Sequence, residues 1–130
     1  MATILVIDDD EQVRFLVQTM LRRAGHEVSL ASNGNEGLAA YRANPTALVI
    51  TDLIMPEKEG LETIQELKQA YPACKIIAMS GGMRQGTLDF LPVAKRLGAD
   101  YVLPKPFNRS ELLAAVAEVL GEPDAAPPKA

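Results

Sequence analysis

The chain has 130 residues, of which 48% are hydrophobic and 23% are charged, and its formal net charge is −4. This length and composition suit one globular domain with a single core and exclude a disordered chain. The acidic balance provides no overall basic field, so we expect no direct binding to nucleic acid.

The sequence also predicts a chain without a targeting signal and without an internal disulfide. No apolar run approaches the roughly 20 residues that a membrane-spanning helix needs, and the N-terminus lacks the basic region of a signal peptide. The single cysteine, Cys74, has no internal partner for a disulfide, and its apolar neighbours predict a small packing residue. These features predict a cytoplasmic protein without membrane insertion.

Short apolar, β-branched runs alternate with segments of helical spacing along the chain. The runs are residues 3–8, 27–31, 47–52, 75–80 and 101–104, and the helices are predicted over 10–24, 33–43, 58–71, 89–97 and 108–120. The first, third and fourth runs are almost continuously apolar, which is typical of parallel strands covered on both faces. The predicted fold class is therefore α/β, a doubly wound sandwich around a five-stranded sheet.

Capping signals mark two of the helix starts. Asn33 is followed three residues later by Glu36, and Asn108 opens a similar cap-like stretch. After the last helix the periodicity is lost and Pro and Ala accumulate. We therefore expect one domain over 1–120 and a disordered tail over 121–130. Whether the chain acts alone or was cut from a longer protein stays open.

The segment 81–98 has an unusual composition for a helix. Three glycines precede residue 87, and each costs about 1 kcal/mol relative to Ala in a helix. Pro92 is tolerated only in a first helical turn. We therefore predict a mobile loop over 81–88 and a short helix over 89–97, with Asp89 as N-cap and Gly98 as terminator.

Four acidic residues, Asp8, Asp9, Asp10 and Glu11, stand side by side where the first apolar run ends. Two like charges 4 Å apart repel by roughly 1 kcal/mol even in bulk water. A solvated helix start would explain the residues, because acids favour the positive end of the helix dipole. Ligation of a hard cation by carboxylate oxygens would explain them equally well.

The carboxyl ends of the predicted strands carry further polar residues. Asp8 and Asp9 end the first strand, Asp52 the third and Ser80 the fourth, and the fifth runs into Lys105. Ligands of doubly wound sheets bind at this edge. Three carboxylates there suit Mg2+, beside which Asp52 would be a nucleophile for a phosphoryl group. Ser80 and Lys105 would then contact phosphoryl oxygens.

Four blocks in this order resemble the receiver domains of two-component response regulators. They are VIDDDEQVR (6–14), LVITDLIMPEKEG (48–60), IIAMSGG (76–82) and GADYVLPKPF (98–107), and the resemblance extends over residues 3–120. It implies a receiver with a flavodoxin-like (βα)5 fold and strand order 2-1-3-4-5, which would be a stand-alone, chemotaxis-regulator-like receiver if the chain is not cut from a longer protein.

The resemblance also implies roles for particular residues. Asp52 would be the phosphoacceptor. Mg2+ would be held, directly or through water, by Asp8, Asp9, Asp52 and the backbone carbonyl of Ile54. Asp10 and Glu11 match no ligand position and are interpreted as first-turn helix residues.

Ser80 and Lys105 match the other two active-site positions of the family, and the Lys105–Pro106 peptide bond would be cis. The implied phosphodonor is a sensor histidine kinase or a histidine phosphotransfer protein, and the downstream protein target is unknown. The chain would not be an enzyme beyond catalysing its own phosphorylation and dephosphorylation. Phosphorylation would switch the face formed by the helix over 89–97, the fifth strand and the C-terminal helix.

The sequence departs from the family pattern at the usual switch aromatic. That position falls on Val102, while Tyr101 lies one residue earlier and should face the opposite side of the sheet. The segment between Ser80 and Lys105 is also a few residues longer than usual. We therefore predict a switch in which Ser80 draws the loop over 81–88 inward.

Three other protein classes share parts of this sequence pattern. A haloacid-dehalogenase-like phosphatase would need a D-x-D-x-T pattern, whereas residues 8–12 read D-D-D-E-Q. A flavodoxin would place hydroxyls and amides after the first strand, where these aspartates would repel a phosphate. A pseudo-receiver would share the fold without phosphorylation, although the five site residues of a receiver are present here.

Overall fold

The computed structural model describes residues 2–53, 60–80, 96 and 98–121, with the backbone alone at 60, 61 and 80. The strands are β1 (Thr3–Ile7), β2 (Glu27–Ala31), β3 (Leu48–Asp52), β4 (Ile76–Ser80) and β5 (Tyr101–Pro104). The helices over these residues are α1 (Glu11–Arg23), α2 (Gly34–Ala43), α3 (Gly60–Ala70) and α4 (Arg109–Leu120).

Two predicted segments fall largely outside the described residues. The loop over 81–88 is not described, and of the short helix over 89–97 only Arg96 is, in a helical conformation. Gly98, its predicted terminator, has φ 126°, in the left-handed region that favours glycine. Of the predicted tail, only Gly121 is described.

The five strands are parallel and lie in the order β2-β1-β3-β4-β5, which confirms the predicted topology. Every residue of β3 is buried, as expected for a central strand with helices on both faces. Alternate strand residues enter two separate cores because successive side chains point to opposite faces. One core contains Leu5, Ile7, Val49, Ile76 and Ala78, and the other contains Ile4, Val6, Leu48, Ile50, Ile77 and Met79.

Two predicted N-caps, Asn33 and Asn108, are confirmed, with one difference in detail at Asn33, whereas the third, Asp89, lies outside the described residues. Asn108 and Glu111 form a reciprocal capping box at α4, with hydrogen bonds of 2.8 and 2.9 Å. Asn33 likewise accepts a hydrogen bond of 2.8 Å from the Glu36 N–H at α2. The Glu36 carboxylate, however, accepts hydrogen bonds from the N–H and hydroxyl of Ser32, one residue before the cap.

Helix α2 packs directly against β1 and α3. At Gly37 a Cβ atom would collide with the side chain of Ile7, so a larger residue at this position would force that buried side chain to move. The rings of Tyr41 and Tyr71 meet edge to face with centroids 4.9 Å apart. Cys74 is buried in the same core, which confirms its prediction as a packing residue.

Within residues 2–53, 60–80 and 98–121, no helix combines the length and apolar character that crossing a bilayer requires.

Candidate functional site

Three of the predicted site residues meet at the carboxyl edge of the sheet. Asp8 follows β1, Asp52 is the last residue of β3, and Lys105 follows β5. The Lys105 ammonium lies 3.2 Å from Asp8 Oδ2 and 3.3 Å from Asp52 Oδ1. Because β4 separates β5 from β3, this contact requires a side chain as long as lysine.

The residues of the acidic run lie in two different environments. Carboxylate oxygens of Asp8, Asp9 and Asp52 lie within 4.8 Å of one another. Asp10 is instead the N-cap of α1, where its carboxylate accepts hydrogen bonds from the N–H groups of Gln12 and Val13. The helix-start explanation is therefore confirmed for Glu11, which lies in the first turn, and for Asp10, which is the N-cap and not a first-turn residue as predicted. Cation binding by Asp8, Asp9 and Asp52 stays a prediction.

Asp8 is fixed from several directions. Its N–H donates to the Ala31 carbonyl at 3.1 Å, and its Oδ1 accepts from the Asp10 N–H at 2.9 Å. Its Oδ2 accepts a hydrogen bond from Lys105. Burial raises the pKa of Asp8 above the usual range, although the hydrogen bond from Asp10 and the charge of Lys105 oppose that shift.

Asp52 has the most perturbed carboxylate of the site. Burial raises its pKa to about 6, with the neighbouring Asp8 adding to the shift and Lys105 opposing it. Its Oδ1 is buried and accepts no hydrogen bond from the described residues, so the ion pair with Lys105 is left to compensate its charge. Burial lowers the pKa of Lys105, but the two carboxylates outweigh it and the net shift is upward.

These observations fit a hard divalent cation. Three carboxylates converge, one of them carries a buried oxygen without a hydrogen bond, and Mg2+ prefers oxygen ligands of this kind. Ile54, predicted to add a backbone carbonyl, lies outside the described residues. The backbone of Ser80 ends β4 at the same edge, and its side chain is not described.

The Lys105–Pro106 peptide bond is cis, as the family resemblance implied. Tyr101 and Val102 contribute to different cores, so their side chains lie on opposite faces of β5, which confirms the prediction from strand alternation.

Sequence reasoning missed Arg14. Its Nη1 donates a hydrogen bond of 2.8 Å to the backbone carbonyl oxygen of Asp8. The available signal was its position one helical turn after Asp10, because long helical side chains point back toward the N-terminus of their helix.

The sequence of this chain is similar to the sequences of known response regulators. A family model described as a response regulator receiver domain matches residues 4–117. The DNA-binding transcriptional regulator NtrC of Rhizobium meliloti is 35% identical over 128 residues, which are 98% of this chain and 26% of that protein. The transcriptional regulatory protein CpxR of Klebsiella pneumoniae is 35% identical over 120 residues, which are 92% of this chain and 50% of that protein. The chain thus spans between a quarter and a half of these curated relatives.

Solved structures of similar size also match. A response regulator receiver domain protein from Clostridium thermocellum superposes with a TM-score of 0.85 at 32% identity, covering 93% of this chain and 95% of that one. The chemotaxis protein CheY4 of Vibrio cholerae superposes with a TM-score of 0.84 at 30% identity, covering 92% of this chain and 99% of that one.

Proposed function

We propose that this chain, which belongs to the response regulator receiver domain family of two-component systems, accepts a phosphoryl group on Asp52 in a Mg2+-dependent reaction. The observation that carries the proposal is the convergence of Asp52 with Lys105 and the acidic pair Asp8 and Asp9 at one edge of the sheet. Three different strands position these residues, since β1 leads into Asp8 and Asp9, β3 ends at Asp52 and β5 leads into Lys105.

Asp8, Asp9 and Asp52 would hold Mg2+, and the family resemblance adds the carbonyl of Ile54. When bound, the cation neutralises carboxylate charge and polarises the incoming phosphoryl group. The need for it follows from charge, because Lys105 alone leaves the three-carboxylate site negative and a phosphoryl group carries further negative charge.

The proposed step transfers the phosphoryl group from nitrogen to oxygen. A carboxylate oxygen of Asp52 forms a bond to phosphorus while the bond from phosphorus to a histidine nitrogen of the donor breaks, and the electron pair of that bond stays on nitrogen. Lys105 is already within 3.3 Å of Asp52 and is placed to neutralise a phosphoryl oxygen. Ser80 would donate a hydrogen bond to another.

The phosphodonor would be a sensor histidine kinase or a histidine phosphotransfer protein in the cytoplasm. The chain would catalyse only its own phosphorylation and dephosphorylation, and it would not turn over a separate substrate. The output would pass through β5, α4 and the segment over 89–97. Because Val102 has no ring, we propose that Ser80 moves the segment over 81–88 on phosphorylation.

The decisive experiment is incubation with acetyl phosphate and Mg2+, followed by intact-protein mass spectrometry. The wild-type protein should gain one phosphoryl group, and the gain should disappear when Mg2+ is chelated. Asp52→Asn should show no gain. Asp10→Asn is the matched control, because Asp10 caps α1 and its amide replacement can still cap, so labelling should persist. Labelling of Asp52→Asn would overturn the assignment, and an unlabelled wild type would favour the pseudo-receiver alternative.

The output model has a separate test in amide exchange with and without beryllofluoride. Protection should rise over 81–91 in the wild type and rise less in Ser80→Ala. Unchanged protection in the wild type would contradict a switch through this segment.

A further inference from the structure

We infer that Arg14 is a positioning residue for the acidic site, and that it strengthens Mg2+ binding by fixing the peptide between Asp8 and Asp9. The inference rests on the proposed function, since it concerns the affinity of the same site for the cation. Its starting observation is the hydrogen bond of 2.8 Å from Arg14 Nη1 to the carbonyl oxygen of Asp8.

This hydrogen bond completes the anchoring of Asp8. The N–H of Asp8 is bonded to Ala31, and its two carboxylate oxygens are bonded to Asp10 and Lys105. Its carbonyl group is held by Arg14 from α1. That carbonyl belongs to the same rigid peptide plane as the Asp9 nitrogen. The direction of the carbonyl therefore helps to determine where the exposed Asp9 side chain begins.

The charge of Arg14 also acts weakly on Glu36, an exposed residue of α2. The two hydrogen bonds from Ser32 to the Glu36 carboxylate, of 2.9 and 2.7 Å, hold that carboxylate at the start of α2. These hydrogen bonds, and to a lesser extent the charge of Arg14, lower the pKa of Glu36. The attraction between Glu36 and Arg14 is weak, so the position of the guanidinium is defined by its hydrogen bond to the Asp8 carbonyl.

Positioning and simple charge predict opposite signs for a variant of Arg14. A positive side chain close to a divalent cation repels it, so removing the charge should tighten Mg2+ binding if only the electrostatic field mattered. If the side chain acts by fixing the peptide, removing it should weaken Mg2+ binding even though a repulsive charge has been lost. The sign of the change therefore identifies the mechanism.

The test is a titration of the unphosphorylated full chain with Mg2+ alone. The dissociation constant is obtained from the NMR shifts of the backbone amides of the residues after β1. Arg14→Met should weaken Mg2+ binding about 10-fold, the lower end of the loss seen when groups that orient metal ligands are removed. Arg14→Lys should recover part of this loss, because an ammonium can donate one hydrogen bond to the same carbonyl. Arg22→Met is the matched control, since it removes the same charge roughly 12 Å further along α1 and should leave the affinity unchanged.

Glu36→Gln provides an independent variant at an exposed position. It keeps Arg14 and its hydrogen bond to the Asp8 carbonyl, so the affinity for Mg2+ should stay within about 2-fold of wild type. Thermal unfolding of each variant establishes that the titrations are made on folded protein. Equal affinities for wild type, Arg14→Met and Arg14→Lys would overturn the inference, and tighter binding by Arg14→Met would assign the effect to charge. A wild type that shows no Mg2+-dependent shifts near Asp9 would overturn the proposed metal site as well.

Discussion

Replacing Asp52 with Asn should stabilise the metal-free protein at neutral pH while abolishing phosphorylation. The carboxylate is buried and its Oδ1 accepts no hydrogen bond from the described residues, so its ionisation opposes folding. An amide of nearly the same shape removes that charge. The stabilisation should depend on pH, because below the pKa of an unfolded aspartate the carboxyl group is neutral in both states.

The magnitude follows from the shift in pKa. Burial raises the pKa of Asp52 in the folded protein to about 6, against 3.8 for an ordinary aspartate. Between these values the folded state binds more protons than the unfolded state, so the free energy of unfolding falls as pH rises. Two units of pKa correspond to about 3 kcal/mol at most, which is a large fraction of the total stability of a small domain. The variant should therefore gain about this much relative to wild type between pH 4 and pH 7.

The assay is urea unfolding at several pH values in the presence of a chelator. Circular dichroism is the suitable signal, because the chain contains no tryptophan. Any constant effect of the amide appears equally at every pH and is removed by taking the difference between pH 4 and pH 7. Adding Mg2+ at pH 7 should stabilise the wild type more than the variant, because the cation binds the folded carboxylate site. A stability difference that does not grow with pH would refute the reasoning.

Three further changes test other parts of the structure. Lys105→Met should reduce the free energy of unfolding at pH 7 by about 3 kcal/mol, because it leaves two buried carboxylates without their counter-charge. Urea unfolding should show a smaller loss at pH 5, where the carboxylates protonate, and an equal loss at both pH values would contradict this account. Gly37→Ala should reduce the free energy of unfolding by about 1–3 kcal/mol because of the collision with Ile7. Adding Ile7→Val should restore part of that stability, and no restoration would show that the collision is not the cause. Asn108→Ala should lower the free energy of unfolding by about 1 kcal/mol because it removes the α4 cap, whereas Asn108→Ser keeps a capping oxygen and should be nearly neutral. Equal losses in the two variants would show that the cap does not contribute to stability.

The sequence by itself determined the architecture and the place of the site. Central strands were recognisable because a parallel sheet covered on both faces requires continuous apolar runs, and β3 is indeed buried throughout. The edge that carries the site followed from topology, since the carboxyl ends of parallel strands share one edge whatever residues they carry. Asp8, Asp52 and Lys105 could therefore be expected together without knowledge of any distance.

Only the tertiary structure decided which polar residues join the carboxylate cluster and which one caps a helix. Asp9 and Asp10 are adjacent and chemically identical, yet Asp9 joins the carboxylate cluster while Asp10 caps α1. The raised pKa of Asp52 depends on its burial and on its distance from Lys105, and the contact of Arg14 with the Asp8 carbonyl depends on how α1 is seated. The pKa of Asp52 and the contact of Arg14 both change when the groups involved move by a few ångströms, and the pKa also depends on how far water is excluded. Periodicity in a sequence fixes which face a residue occupies, but distances between groups on separate elements arise only when those elements pack.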